Sequence, residues 1–171
     1  MNNKNSLILF FSRAGENWAV GNVPVGNTEH LANFIHEITG ADLHKIEPKN
    51  KYPEEYKKCT EIAKEEFNKK LKPELKNALT DIKKYDIIYI GYPIWWGTFP
   101  MPMFTQLEKL DFKGKIVMPF STNEGSGLGN SISDIKKCCI GANVKHALSI
   151  IGSKAKDSKN EVEKWIKSNL K

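Results

Sequence analysis

Apolar positions divide the chain into two alternating kinds of segment. Five short, nearly continuous apolar runs occupy residues 6–11, 41–46, 87–91, 116–121 and 144–150, with the length and composition of buried strands. Between them, apolar residues recur at helical spacing. Leu31, Phe34, Ile35 and Ile38 follow i, i+3, i+4, i+7 and share one helix face. Tyr56, Cys59, Ile62, Ala63 and Phe67 do the same in a more charged helix, and Met103, Leu107 and Leu110 mark a third. Ile132 and Ile135, with Cys138 or Cys139, mark a fourth. The last helix opens at Ser158-Lys159-Asn160-Glu161, the spacing of a capping box, and Val162, Trp165, Ile166 and Leu170 form its apolar stripe.

Strands alternating with helices predict an α/β fold: a parallel sheet with right-handed crossovers and helices on both faces, a three-layer sandwich. The connection over residues 49–84 is longer than a crossover needs and is interrupted at Pro73-Glu74-Leu75. No repeat, low-complexity block or Gly/Ser/Pro linker divides the chain. Residues 1–171 are therefore expected to form a single domain, a length that buries a substantial core.

Open parallel sheets bind ligands beyond the carboxyl ends of their strands. Three of those ends are rich in polar residues and glycine. The most informative follows the third strand: Tyr92-Pro93-Ile94-Trp95-Trp96-Gly97-Thr98-Phe99-Pro100. Two adjacent tryptophans place so much aromatic surface on a loop that a planar, conjugated ligand is expected against it. Successive side chains diverge, so one tryptophan stacks and the other anchors the loop. After the first strand, Ser12-Arg13-Ala14 is joined by a polar stretch to Gly26-Asn27-Thr28, where the first helix begins. Hydroxyls and free N–H groups at a helix N-terminus bind anions, which makes Ser12, Asn27 and Thr28 a candidate phosphate site with Arg13 adding charge. Simple N-capping by Asn27 or Thr28 is the plainer alternative. After the fourth strand comes Ser121-Thr122-Asn123-Glu124-Gly125-Ser126-Gly127-Leu128-Gly129-Asn130, whose glycines let backbone amides approach a ligand edge. It is no dinucleotide fingerprint, because Asn130 stands where the last glycine is required and the run follows the fourth strand, not the first.

Charge changes the picture little. The 26 Lys+Arg against 20 Asp+Glu give a formal +6, but the lysines are dispersed among glutamates over residues 49–84 and 154–171. That dispersal predicts solvated helix faces and no nucleic-acid partner. No apolar run approaches the roughly 20 residues of a membrane helix, and the first is too short for a secretory signal. Cys59, Cys138 and Cys139 form no CxxC pattern, which argues against a disulfide framework, and a cytoplasmic protein is expected. His30, His36, His44 and His146 pair with no Cys or carboxylate at metal-ligand spacing, so no metal is expected. No GxSxG elbow occurs, and no catalytic side chain is assigned.

Taken together, three stretches resemble the flavodoxin family: Phe10-Phe11-Ser12-Arg13 with Gly26-Asn27-Thr28-Glu29, Tyr92-Pro93-Ile94-Trp95-Trp96-Gly97, and Ser121-Thr122-Asn123-Glu124-Gly125-Ser126-Gly127. The resemblance spans nearly the whole chain. It implies a flavodoxin-like sandwich whose five parallel strands run in the order 2-1-3-4-5, with FMN at the switch point. Ser12, Arg13, Ala14, Asn27 and Thr28 would then surround the phosphate. Pro93, Ile94, Trp95, Trp96 and Gly97 on one side, and Thr122, Asn123, Glu124, Gly125 and Gly127 on the other, would flank the ring system. Trp96, or failing that Trp95, would stack on the isoalloxazine. The resemblance further implies a low-potential electron-transfer protein, monomeric or weakly dimeric, that exchanges electrons with redox partner proteins. An FMN-dependent NAD(P)H reductase of quinones or nitroaromatics is the alternative. The chain departs from the family pattern in an insertion of about ten residues over 15–25 and in its positive charge. It also has no tyrosine after the fourth strand, which leaves the second flavin face either open or covered by Trp18 or Tyr52.

Overall fold

The computed structural model describes residues 5–170, and within it the apolar runs pair side by side as parallel strands. In chain order the strands are β1 (Ser6–Phe10), β2 (Gly15–Asn17), β3 (Gly21–Val23), β4 (Asp42–Lys45), β5 (Ile87–Pro93), β6 (Ile116–Asn123), β7 (Asn143–Val144) and β8 (Leu148–Ile151). The helices are α1 (Asn27–Thr39), α2 (Tyr56–Lys69), α3 (Met101–Leu107), α4 (Ser131–Cys138) and α5 (Lys159–Asn169), the last preceded by a 3-10 turn at Gly152–Asp157.

The main sheet runs β4-β1-β5-β6, with β7 and β8 both on the outer side of β6. Counting β7 and β8 as one interrupted strand, this is the expected order 2-1-3-4-5. The register sets Phe10 beside Gly91 and Gly91 beside Phe120. A Cβ on residue 91 would lie 2.1 Å from Cζ of Phe120, so only glycine lets that ring lie across the central strand.

The fifth strand is not the continuous run expected over 144–150. It breaks at residues 145–147 because α5 takes over the backbone groups of His146. The His146 carbonyl accepts from Trp165 Nε1 at 2.7 Å, and its N–H donates to Asn169 Oδ1 at 3.1 Å.

Side chains alternate across the strands. Ile8, Phe10, Tyr89, Met118 and Phe120 meet Leu31, Ala32 and Ile35 of α1 and Val162, Trp165 and Ile166 of α5. On the opposite face Leu7, Leu9, Ile88, Ile90 and Val117 meet Met103 and Leu107 of α3 and Ile135 of α4. Here the architecture departs from simple alternation, because α2 does not cover the sheet. Residues 75–85 do so instead, burying Leu75, Ile82 and Tyr85. Wholly buried Gln106 holds this irregular segment by bonding both the N–H (2.8 Å) and the carbonyl (3.0 Å) of Leu79.

Helix α2 stands on a closed excursion. Pro48 and Leu75 form an antiparallel bridge at its base, reinforced by Lys49 N–H to Glu74 O at 2.8 Å and Lys76 N–H to Glu47 O at 2.9 Å. This accounts for the surplus length of the third connection. Of the five apolar positions on its expected face, Cys59 and Ala63 are buried, while Ile62 and Phe67 are each 40% exposed. The expected capping box of α5 also fails to form. The 3-10 turn runs straight into the helix, and the Ser158 hydroxyl donates backwards to Ala155 O at 2.7 Å instead of capping forwards.

Candidate functional site

The carboxyl ends of β1, β5 and β6 converge on a cavity of about 370 Å³. Its aromatic wall comes from the loop after β5. Trp95 and Thr98 exchange both backbone hydrogen bonds, at 2.8 and 3.2 Å, closing a two-residue turn over Trp96 and Gly97. Both central residues have positive φ, 52° and 83°, the signature of a type I′ turn. Asn-Gly suits such a turn; a tryptophan in its first position sits in the left-handed region at a cost of roughly 1–2 kcal/mol.

That turn separates the two rings. Trp95 points inward, edge-on to Phe11 and Tyr52 with centroids 5.1 Å from each. Trp96 points outward, 45% exposed, and lines the cavity. Its Nε1 donates to Thr60 O of α2 at 3.2 Å, and the Lys64 ammonium lies 5.1 Å from its centroid. Asn130 N–H to Gly97 O (2.7 Å) and Thr98 Oγ1 to Asp134 Oδ2 (2.8 Å) lock the loop to the start of α4.

At the opposite end lies the N-terminus of α1. Gly26 is the N-cap and has no side chain to cap with, so neither Asn27 nor Thr28 serves the plainer role. Ser12 Oγ accepts from Glu29 N–H at 3.1 Å. A Cβ on residue 26 would fall 2.2 Å from that hydroxyl oxygen. The buried Thr28 hydroxyl pairs with that of Thr122 at 2.8 Å, joining the first loop to β6. Asn27 lines the cavity.

Arg13 also lines the cavity, but its guanidinium is engaged. It donates to the carbonyls of Glu16, Pro53 and Glu54 at 2.5–2.6 Å, tying the first loop to the α2 excursion. The insertion over 15–25 is the β2–β3 hairpin. Glu16 joins it to α2 through its N–H to Glu54 O (3.1 Å) and its carboxylate, which accepts from Tyr56 N–H at 2.8 Å. Beyond the hairpin strand, Trp18 is 66% exposed, 5.9 Å from Tyr56, and both line the cavity.

After β6, Asn123 Oδ1 accepts from the amides of Gly125 (2.9 Å) and Gly127 (3.0 Å), folding the glycine loop onto its own side chain. The Glu124 carboxylate accepts from Ser153 N–H at 2.7 Å, joining that loop to the end of β8.

Nine of the expected residues line the cavity: Arg13, Asn27, Pro93, Ile94, Trp95, Trp96, Thr122, Asn123 and Glu124. Ser12, Ala14, Thr28, Gly97, Gly125 and Gly127 do not line it: Ser12 and Thr28 are buried, and Ala14, Gly97 and Gly125 are exposed. Residues the sequence did not single out for the site are Asn17, Ser126, Gly152 and, from α2, Tyr56, Cys59, Thr60 and Ala63. Gly152 had no signal in the chain: a Cβ there would come within 2.4 Å of Asn27 Nδ2 and 2.7 Å of Glu124 Oε1. The small residues Cys59, Thr60 and Ala63 amid lysines and glutamates were the available clue to α2.

Burial pushes the Cys59 thiol above its ordinary value, and the nearby Arg13 charge only partly offsets this. A flat, apolar and aromatic wall, amides of Asn17, Asn27 and Asn123 around it, and a helix N-terminus at one end fit a conjugated ring with carbonyl edges and an anionic tail.

Fold and cavity together define a doubly wound α/β protein of the flavoprotein class. The sequence model of the flavodoxin family matches residues 21–169, and the chain belongs to that family. No curated protein matches it in sequence. Among solved structures it is similar to a candidate flavoprotein from Bacteroides eggerthii, at 27% identity and TM-score 0.78, covering 98% of this chain and 99% of that one. A candidate flavoprotein from Bacteroides uniformis is 26% identical, with TM-score 0.74 and coverage of 96% and 98%. A flavoprotein from Lactobacillus acidophilus, solved in complex with FMN, shares the fold at 23% identity and TM-score 0.64, over 95% of this chain and 99% of that one. Among the described residues no helix is long and apolar enough to cross a membrane.

Proposed function

We propose that the chain binds FMN in this cavity and acts as an electron-transfer protein working with separate redox partner proteins. The observation that carries the reading is Trp96, held in a strained turn after β5, over a cavity that reaches the N-terminus of α1 at Asn27. Strain at a ligand wall is kept where it contributes to binding. When bound, FMN supplies the redox chemistry, and the protein is left to position and tune it. Trp96, Ile94 and Pro93 receive the ring, Thr122 and Asn123 meet its polar edge, and Asn27 with the first-turn amides of α1 receives the phosphate. A second recess, of about 310 Å³, lies at the other end of the sheet around Thr39, Asp42 and Lys84.

A second reading is an FMN-dependent NAD(P)H reductase of quinones or nitroaromatics. The observation favouring it is the roof: Tyr56, Cys59, Thr60 and Ala63 of α2 with Trp18 of the hairpin leave a recess sized for small molecules. Visible absorption of the protein with FMN, followed by anaerobic NADPH, separates the two. Flavin bands that perturb on binding but persist with NADPH support the carrier, rapid bleaching supports the reductase, and unperturbed bands defeat both.

A further inference from the structure

Helix α2 carries its lysines unevenly. Lys58 and Lys69 pair with Glu55 and Glu65 on the same helix at 2.8 and 2.6 Å. Lys64 forms no such pair; its ammonium is placed over the Trp96 ring instead, 5.1 Å from the centroid. Trp96 lines the cavity and Lys64 does not, lining instead a shallow outer recess with Glu61 and Asn68. Lys64 thus lies over the indole that forms part of the cavity wall without itself lining the cavity. The bond from Trp96 Nε1 to Thr60 O, one helical turn before Lys64, fixes the ring against α2 and holds the arrangement in register.

We propose that Lys64 is a tuning residue for the flavin site: from its place over Trp96 it favours the reduced, more negative form of the bound cofactor. The inference rests on the FMN reading above. Adding two electrons and one proton to bound flavin leaves it one unit more negative, and a cation held on the ring that lines the site stabilises that added charge. Arg13, the other cation at the cavity, is held by three carbonyls and anchors the hairpin, so its removal would disturb the walls. Lys64 is exposed and carries no structural bond to the backbone, so its charge can be changed alone. The effect is modest, because water screens an exposed charge.

The test compares wild type with Lys64→Arg, Lys64→Gln and Lys64→Glu, each loaded with FMN. FMN affinity is read by quenching of flavin fluorescence, and the midpoint potential by dye equilibration during dithionite titration. The ratio of reduced to oxidised dissociation constants should rise about threefold in Lys64→Gln and about tenfold in Lys64→Glu. For two electrons, tenfold corresponds to a potential lower by about 30 mV. Lys64→Arg should keep the wild-type value, and added salt should compress the series. Equal potentials across the series overturn the proposal while leaving FMN binding intact. So does an equal loss of affinity for both redox states, which would mark Lys64 as merely supporting the ring. A wild-type protein that quenches no flavin fluorescence overturns the cofactor reading, and the role of Lys64 with it.

Discussion

Helices α1 and α2 are almost the same length, 13 and 14 residues, and both carry a clear apolar stripe. They do opposite work. Helix α1 follows the hairpin insertion, returns to the sheet and buries Thr28, Leu31, Ala32 and Ile35 against it. Helix α2 buries only Cys59 and Ala63, and what it covers is the cavity at the strand ends. Amphipathic spacing specifies that a helix face meets something; it does not specify whether that is core or ligand space. What separates the two stripes is residue size. Leucine and isoleucine fill space between helix and sheet, whereas cysteine, threonine and alanine leave it open.

The comparison breaks most directly at the two stripes. Leu31→Ala should cost about 3 kcal/mol in urea unfolding, because Leu31 is wholly buried. Ile62→Ala on α2 should cost less than about 1 kcal/mol, since that side chain is 40% exposed. Similar losses at both positions would make α2 an ordinary core helix. The tryptophans repeat the contrast. Trp165→Ala, in the core beside Tyr89 and Phe120, should cost about 3–5 kcal/mol of stability and leave FMN affinity unchanged once corrected for folding. Trp96→Ala should weaken FMN binding about tenfold with little loss of stability. Equal flavin losses in the two variants would remove Trp96 from the site.

A smaller effect is expected where the two regions are tied together. Arg13→Gln leaves the carbonyls of Glu16, Pro53 and Glu54 without their shared donor. About 2 kcal/mol should be lost, with protease nicking appearing first within residues 49–74. Nicking that begins in α1 instead would show that Arg13 does not anchor the roof.

Smaller again is the strain in the aromatic turn. Trp96→Asn creates Asn-Gly, the preferred type I′ pair, and should stabilise the apo protein by about 1 kcal/mol while weakening FMN binding. A variant that loses both stability and affinity would mean that Trp96 is held by its packing on Thr60 and Lys64 and not in spite of its backbone.

The α/β sandwich was readable in the chain because five apolar runs alternate with helical connections, and its strand order followed from the resemblance to the flavodoxin family. The aromatic loop was readable because two tryptophans beside glycine have few purposes at a strand end. Other features were hidden for physical reasons. The diversion of α2 depends on an antiparallel bridge between Pro48 and Leu75, far apart in sequence and without a turn signal between them. The break in the fifth strand depends on Trp165 and Asn169 reaching His146, a tertiary competition with the ladder that strand propensity does not register. Gly152 matters only because Asn27 and Glu124 crowd it from other loops. Arg13 was visible through its charge, but the three carbonyls it also meets come from its own loop and from residues 53–54, and no local signal announces them.

The smallest expected effect concerns the far end of α2, where Glu66 accepts from Tyr52 Oη at 2.5 Å, and Tyr52 in turn packs on Trp95. Burial raises the Glu66 carboxyl above its ordinary value, outweighing the tyrosine bond that lowers it. The folded state therefore holds the proton more tightly than the unfolded chain does. Stability contributed at this position is full below the ordinary glutamate range and falls as pH rises through the higher folded value. Replacing Glu66 by Gln keeps an acceptor for Tyr52 and removes the charge. Urea unfolding should then show a gain of less than about 1 kcal/mol at about pH 7 and none at about pH 4. If the two pH values give the same difference, the charge is not what burial opposes there. The contact would then belong with the packing of α1 and not with the polar, half-open construction that distinguishes α2.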